Sequence, residues 1–135
     1  MSYWLLKTEP SVYSYGDLVR DGITVWDGIT NNLALKHIRS MKKGDRAFVY
    51  HSGDEKAIIG ISEIASNPYA DPKQRDSKLV VVDLKPKRYL KNKITLAQIK
   101  SQKKFASFEL VRISRLSVMP VKDEWWSDLV RFATT

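Results

Sequence analysis

The sequence predicts an α+β domain, a small curved barrel or strongly twisted mixed sheet with short helices around its rim. Strand patterns occur near both ends of the 135-residue chain, and short helical patterns lie between them. Strands and helices do not alternate regularly, so a doubly wound parallel sheet is not expected. A chain of this length is one domain by default, and we expect residues 1–135 to form a single domain.

The first strand and the first helix are predicted close to the start of the chain. Residues 3–7 (YWLLK) are apolar and aromatic, which is typical of a strand, and Pro10 favours an extended backbone before it. Ser14 and Asp17 have the spacing of a capping box, in which each side chain accepts a hydrogen bond from the other residue's backbone. We therefore expect a short helix that begins after Ser14 and ends at Gly22.

A second strand and a second helix follow. Thr24–Trp26 is short and rich in β-branched and aromatic residues, as expected of a strand. Asn31 or Asn32 can cap a helix over residues 33–43, along which apolar residues recur near helical spacing. Gly44 then supplies the residue at which such a helix ends.

The middle of the chain predicts three strands and one helix. Residues 46–51 and 57–65 are predicted strands joined by a polar turn at residues 52–56 (SGDEK). Residues 78–85 form the third predicted strand, because apolar residues alternate along it. Residues 95–103 are a predicted helix capped by the threonine at its start, and a shorter helical turn follows.

The end of the chain predicts one more strand and a final helix. Residues 115–119 form a predicted strand that Pro120 ends. Lys122 or Asp123 opens the last helix, on which apolar residues make one stripe. Trp125 projects away from that stripe, and we expect it at the rim of the domain.

The net charge of +8 is concentrated in the second half of the chain. Residues 1–63 contain eight basic and eight acidic residues, whereas residues 64–135 contain 15 basic and seven acidic ones. The excess is dense around Tyr89, where the cations are Lys85, Lys87, Arg88, Lys91 and Lys93. Such a run is either an ordinary solvated face or a strip that binds phosphates and gains affinity by releasing counterions.

Composition and spacing exclude or disfavour several kinds of site. The chain has no cysteine, which excludes disulfides and thiolate metal sites and fits a reducing cytoplasm. His37 and His51 lack the companions of a metal site, and Ser52 would point away from His51 on an extended segment. Neither a Gly-rich phosphate loop nor an apolar run of membrane-spanning length is present. We therefore expect a cytoplasmic protein that uses no metal and no cofactor and does not enter a membrane.

Residues 25–32 (VWDGITNN) place an aromatic side chain next to short amides. Strand ends and helix N-termini are where side chains and backbone N–H groups converge on a ligand. A nucleobase turned out of its strand needs a flat apolar wall for stacking and amide or hydroxyl groups for its pairing edge. Trp26 can supply the wall and Asn31 can both donate and accept. Equally, Trp26 can be a core residue and Asn31 only a helix cap.

Six blocks of this sequence together closely resemble the EVE domain, in the family's order and spacing. They are YWLLKTEP, YSYGDL, VWDGITNN, SMKKGDRAFVYHS, IIGISEI and RLSVMPVKDEWW, and they span about residues 3–126. The resemblance implies a PUA-like fold, a small curved β-barrel with flanking helices that is related to YTH readers of methylated adenine. It also implies a pocket for a modified nucleobase, in particular a methylated one, in DNA or RNA, with no chemistry performed on it.

The family's motifs fall on four segments. Its Lys-Ser/Thr-Glu-Pro block matches residues 7–10, and its Trp-x-Gly-Val-Arg-Asn block matches residues 26–31. Its Tyr-His-Ser block matches residues 50–52, and its Arg-Leu-Ser-Val block matches residues 115–118. Thr30 departs from the pattern, because it stands where the family usually has an arginine.

The motifs and the residue types together predict two sets of site residues. The base-binding set is Thr8, Trp26, Ile29, Asn31, Tyr50, His51, Ser52 and Ser117. The set that would contact the nucleic-acid backbone is Lys7, Lys85, Lys87, Arg88, Lys91, Lys93 and Arg115. No residue is predicted to be catalytic or to bind a metal. The predicted partner is a nucleic acid with a modified base, bound by a monomer.

Two other functions stay open at this point. The chain can be an enzyme acting on a nucleobase or nucleotide, with Glu9, Asp27 or His51 as general acid or base. It can also be a protein-interaction domain whose pocket is vestigial. The absence of a cofactor motif, a metal cluster and a nucleophile disfavours the enzyme.

Overall fold

The computed structural model describes residues 1–134. These residues form seven strands, β1 (Tyr3–Thr8), β2 (Thr24–Trp26), β3 (Arg46–His51), β4 (Ala57–Ile64), β5 (Tyr69–Ala70), β6 (Val80–Thr95) and β7 (Val118–Val121). They also form five α-helices, α1 (Tyr15–Asp21), α2 (Asn32–Arg39), α3 (Leu96–Lys100), α4 (Glu109–Arg112) and α5 (Asp123–Thr134), with a 3₁₀ turn at Lys103–Phe105. Within the described stretch every helix is too short or too polar to cross a lipid bilayer.

The strands form a mixed sheet in the order β2-β6-β4-β3-β1-β7, with β5 beside β6. β1 and β3 are parallel, and the other pairs of this sheet are antiparallel. Three strands separate β1 from β2 in this order, yet residues of both line one cavity, so the sheet curls until these strands approach each other. The predicted α+β class, with a strongly curled mixed sheet and short helices, is confirmed.

Three helices begin at the caps that the sequence predicts. Ser14 and Asp17 exchange the two hydrogen bonds of a capping box at the start of α1. Thr95 and Gln98 form the same arrangement at the start of α3. The side chain of Asn31 caps α2 by accepting a backbone N–H at 3.0 Å. Local side-chain to backbone bonding therefore sets these three boundaries.

The predicted ends of two helices are wrong. Helix α2 ends at Arg39 instead of residue 43, and α3 ends at Lys100 instead of about residue 103. After α2 the chain turns toward the buried carboxylate of Asp45, which accepts hydrogen bonds from three N–H groups. The donors are the backbone of Ser2, the backbone of Lys42 and the indole of Trp4. These bonds, two of which come from residues distant in the sequence, take the place of the last helical turn.

Two strand predictions also need correction. Strand β6 continues to Thr95 instead of ending at residue 85, because β4 pairs with both halves of it across two register shifts. Hydrogen bonding to β4 thus keeps a Lys-rich segment in a strand conformation, although its apolar residues do not alternate as in a predictable strand. Pro120 lies inside β7 instead of ending it. β7 is an edge strand that pairs only with β1, and an edge tolerates a residue without an N–H.

Aromatic side chains form much of the core beneath α5. Trp126 stacks between Tyr3 and Phe48, with ring centroids 4.4 and 3.9 Å apart. Trp125 is buried against Phe105 and Phe108, so its predicted place at the rim is wrong. Phe105 and Phe108 belong to the irregular segment between α3 and α4, whose position the sequence pattern did not reveal.

Candidate nucleic-acid interface

A cavity of about 490 Å³ lies between the end of β1 and strand β2. Its lining residues are Lys7, Thr8, Glu9, Val12, Tyr13, Thr24, Val25, Trp26, Asp27, Gly28 and Ile29. This volume lies within the range of small-molecule sites, roughly 300–1,000 Å³. The lining comes from three segments: the end of β1, the loop before α1, and β2 with the residues after it.

Trp26 forms the aromatic wall of this cavity. The residue is 7% exposed and lies opposite Val82 of β6. The ring of Tyr13 meets it edge to face, with centroids 6.2 Å apart and planes at 78°. The Tyr13 hydroxyl donates a hydrogen bond to Asp21 at 2.8 Å, which fixes the tyrosine ring against the indole. Trp26 is therefore held rigidly while part of its surface faces the cavity.

Polar groups surround that wall on the β1 side. The Thr8 hydroxyl donates to the backbone carbonyl of Tyr13 at 2.6 Å, so its oxygen stays available as an acceptor. The Lys7 ammonium donates to the carbonyl of Ser114 at 2.9 Å, and burial lowers the pKa of Lys7. Glu9 adds a carboxylate on this side, and Asp27, directly after β2, adds a second one. A flat apolar wall with a few donors and acceptors is the combination that a nucleobase requires.

Glu9 lies against the turn between β3 and β4. Its carboxylate lies so close to Gly53 that a Cβ at that position would come within 2.6 Å of Oε2. Gly53 also has a φ of +74°, which favours glycine. The turn at residues 52–56 thus lies next to Glu9, which lines the cavity, and none of the turn's own side chains lines the cavity.

His51 does not line the cavity, and both of its ring nitrogens are engaged. Nε2 accepts a hydrogen bond from the backbone N–H of Tyr15 at 2.9 Å, so Nδ1 carries the proton that bonds Glu55 at 2.7 Å. The bond to His51 and the nearby Lys93 hold the pKa of Glu55 below its usual range. His51 therefore joins β3 to the first turn of α1, a positioning role.

Replacing His51 by alanine is expected to lower the free energy of unfolding by about 1–3 kcal/mol, because the buried N–H of Tyr15 loses its acceptor. Glu55→Gln keeps an acceptor for Nδ1 and is expected to change stability by less than about 0.5 kcal/mol. Urea denaturation of both variants measures the difference. Equal stability of His51→Ala and wild type would contradict the positioning role.

The structure brings three of the eight predicted base-binding residues into the cavity: Thr8, Trp26 and Ile29. The other five lie outside its lining and hold the surrounding backbone. Besides His51 at α1, Asn31 caps α2, and Tyr50 is buried under the Lys7 ammonium, 5.6 Å from its ring centroid. The remaining two hold β1, where Ser52 donates its backbone N–H to Thr8 and Ser117 accepts from the backbone of Lys7.

Val12, Tyr13, Thr24 and Val25 line the cavity but were not predicted. Thr24 and Val25 directly precede Trp26 on β2, so that tryptophan was the available signal for them. Val12 and Tyr13 lie in the loop between β1 and α1, and the sequence does not show where this loop packs. A valine beside a tyrosine, shortly after Pro10, is their only local signal.

Some of the residues predicted to bind the nucleic-acid backbone form ion pairs with carboxylates of this chain, and the others do not. Glu63 neutralises Lys85 at 3.1 Å and approaches Lys87 at 3.8 Å, and Lys93 pairs with Glu55 at 3.4 Å. The hydrogen bond from Lys85 holds the pKa of Glu63 below its usual range. Lys7 lines the cavity and donates to a carbonyl. Among residues 1–134, four predicted cations have no carboxylate within 4 Å: Lys7, Arg88, Lys91 and Arg115.

Arg46 is a further cation that was not predicted. Its Nε is buried without a hydrogen-bond partner in the described chain, and its Nη2 lies 3.8 Å from the shared carboxylate of Glu63. Arg46 and Arg88 line one small cavity beside α5, of about 290 Å³. This places a second guanidinium next to the basic strand β6. Within residues 1–134 no group of three or more His, Cys, Asp or Glu side chains could hold a metal ion.

Comparison with known proteins identifies the family of this chain. The model of the EVE domain matches residues 2–132. Human thymocyte nuclear protein 1 is 31% identical over an alignment of 157 residues, which covers 91% of this chain and 70% of that protein.

Solved structures agree with this match. The protein Rpa0253 of Rhodopseudomonas palustris superposes with a TM-score of 0.94 at 41% identity, covering 99% of this chain and 94% of that one. The human THYN1 protein, in complex with DNA containing 5-methylcytosine, superposes with a TM-score of 0.90 at 28% identity, covering 100% and 99%. The chain therefore belongs to the EVE domain family.

Proposed function

We propose that this protein is a non-catalytic reader of a modified base in DNA, and that the base is held against Trp26 in the 490 Å³ cavity. The observation that carries the proposal is this aromatic-walled cavity in a chain that superposes on the human THYN1 protein bound to DNA containing 5-methylcytosine. Methylated cytosine is accordingly the first ligand to test.

The size of the expected effects follows from the cavity's chemistry. Stacking of one base on an aromatic side chain contributes about 1–3 kcal/mol. A methyl group that fills an apolar notch adds a preference of roughly 10- to 200-fold over the plain base. Val25, Ile29 and the face of Trp26 supply apolar surface of the kind such a methyl needs.

The arrangement supports a binding role over catalysis. Both nitrogens of His51 hold structural hydrogen bonds, so this residue is not free to act as an acid or base in the cavity. Glu9 and Asp27 line the cavity and can accept hydrogen bonds from an exocyclic amine. We also propose that a monomer suffices for binding, because the end of β1, the loop before α1 and the segment around β2 together supply the aromatic wall and the polar groups of the cavity.

Binding of short labelled oligonucleotides, measured by fluorescence anisotropy, tests the proposal. The set is DNA and RNA of one sequence, each with plain cytosine, 5-methylcytosine, plain adenine or methylated adenine at one position. We expect DNA with 5-methylcytosine to bind roughly 10- to 200-fold more tightly than plain DNA. Equal affinity for all strands would contradict the proposal that the protein reads a modified base. A preference for modified RNA would show that the ligand is RNA instead of DNA.

If the basic strand β6 contacts phosphates, the affinity for DNA should fall with salt concentration to the same extent for modified and plain strands. Arg88→Ala and Lys91→Ala should each weaken binding of plain and methylated strands alike, because both cations lack a carboxylate partner among the described residues. Each should reduce the slope of log K against log salt concentration by about 0.7–0.9. Lys36→Ala on α2 is the control and should leave the slope unchanged. Unchanged slopes in both β6 variants would show that this strand does not contact the nucleic acid.

A further inference from the structure

Val12 is the most exposed large apolar side chain of residues 1–134, at 80% exposure, and it stands at the mouth of the Trp26 cavity. Single exposed apolar residues are common and need no explanation. This one differs in its place, because it lines the site proposed to take a base. Val25 lines the same cavity and is 41% exposed. Apolar surface therefore continues from the cavity onto its rim.

The loop that carries Val12 is held in one conformation by its own hydrogen bonds. The backbone N–H groups of Val12 and Tyr13 both donate to the carbonyl of Glu9 at 2.9 Å. The Thr8 hydroxyl donates to the carbonyl of Tyr13, and the Tyr13 ring is fixed by its bond to Asp21. A valine side chain has a single stiff torsion, so little entropy is lost when it is inserted into a partner. The exposed side chain is thus presented on a fixed turn.

A base can reach such a cavity from double-stranded DNA only if it turns out of the helix. Turning it out breaks its stacking and leaves a gap between the neighbouring base pairs. Proteins that deform DNA often fill such spaces with an apolar wedge, which recovers part of the lost stacking. The wedge has to project from the protein next to the pocket that receives the base. Val12 meets this requirement.

We propose that Val12 is the wedge that enters the duplex at the position vacated by the modified base. The inference rests on the proposed function, and it extends that function from a single modified base to modified double-stranded DNA. Tyr13, the neighbour of Val12, packs against Trp26, so the side chain that fills the gap and the wall that receives the base belong to one rigid unit.

The test compares Val12→Ala with Val19→Ala on one 5-methylcytosine oligonucleotide, both single-stranded and annealed to its complement. Val19 is the matched control, because it is an exposed valine on α1, at 45%, and does not line the cavity. We expect Val12→Ala to lower affinity for the duplex about tenfold, from the lost apolar contact of two methyl groups. Single-strand affinity should fall much less, because there Val12 loses only its part in the cavity wall. Val19→Ala should alter neither, and Val12→Leu should retain duplex affinity.

Fluorescence of 2-aminopurine next to the methylated cytosine gives a second readout. It should rise when wild type binds the duplex and rise less with Val12→Ala at the same occupancy. Equal losses on single and double strands would make Val12 an ordinary part of the pocket wall and overturn the wedge. No loss on either would overturn it as well. If wild type bound methylated and plain single strands equally, the proposed function itself would be wrong, and the wedge proposal would fail with it.

Discussion

Replacing Trp26 by alanine is expected to lower affinity for a strand with the modified base by roughly 10- to 100-fold, which corresponds to the stacking energy of one base. Affinity for the plain strand should fall much less, because we propose that residues other than Trp26 contact its phosphates. The ratio between modified and plain strands should therefore collapse toward one. Anisotropy titrations of both strands with both proteins measure that ratio.

Folding must be controlled in that experiment, because Trp26 is also largely buried. Truncating a buried tryptophan typically costs about 3–5 kcal/mol of stability. Trp26→Phe keeps an aromatic wall and should keep most of the preference, and thermal unfolding of both variants shows whether each is folded under binding conditions. A folded Trp26→Ala protein with an unchanged preference would show that the base binds elsewhere.

Gly60→Ala is expected to lower the free energy of unfolding by about 1–3 kcal/mol, because the added methyl group overpacks the core. An ideal Cβ at Gly60 would lie 2.6 and 2.8 Å from the Cε1 and Cε2 atoms of Tyr15. That ring cannot easily retreat, since its hydroxyl donates to the carbonyls of Ile61 and Arg88 and thereby joins α1 to β4 and β6. The methyl group therefore has to strain either the strand or the helix.

Gly16→Ala is the matched control, at the residue next to Tyr15 in α1. A Cβ there would meet only Ser14 Oγ and Tyr89 Oη, both at an ordinary 3.5 Å. Since Gly16 lies inside α1, alanine should stabilise the protein by about 0.5–1 kcal/mol. Chemical denaturation of both variants gives the comparison. If Gly60→Ala were as stable as Gly16→Ala, the close packing of Tyr15 on β4 would be wrong.

Most of the fold could be predicted because local rules decide most of its elements. The caps at Ser14, Asn31 and Thr95 each use a side chain within three residues of its acceptor or donor, so spacing alone reveals them. The errors occur where tertiary partners decide. Lys-rich residues continue β6 because β4 lies beside them, and Pro120 stays in β7 because that strand lies at an edge.

The candidate site was predictable to a smaller extent. Trp26, Thr8 and Ile29 were predicted from motifs, and they line the cavity. Asn31, His51 and neighbouring motif residues lie outside its lining, because a motif marks residues that build a site as well as those that would touch a ligand. Val12 and Tyr13 reach the cavity only because the curled sheet brings β1 next to β2. No pattern in one loop encodes that approach.

The structure shows which residues surround Thr30, which the sequence alone does not. It lines a small cavity of about 110 Å³ together with the buried residue Asp71. An arginine at this position, as is usual in the family, would bring its guanidinium toward that carboxylate. In this chain Asp71 instead accepts a hydrogen bond from the backbone of Lys73 at 2.9 Å. The departure at Thr30 therefore lies beside the Trp26 cavity, outside its lining.

The central claim, that a modified base is held against Trp26, is tested most directly by the indole N–H signals in a ¹H–¹⁵N spectrum. The chain has four tryptophans, and Trp4, Trp125 and Trp126 lie outside the cavity as internal controls. When a short strand with 5-methylcytosine is added, the Trp26 signal should shift to saturation while the other three stay in place, and a plain strand should need a much higher concentration. An unmoved Trp26 signal, with β6 amide signals shifting equally for both strands, would contradict the reader and leave only a basic surface.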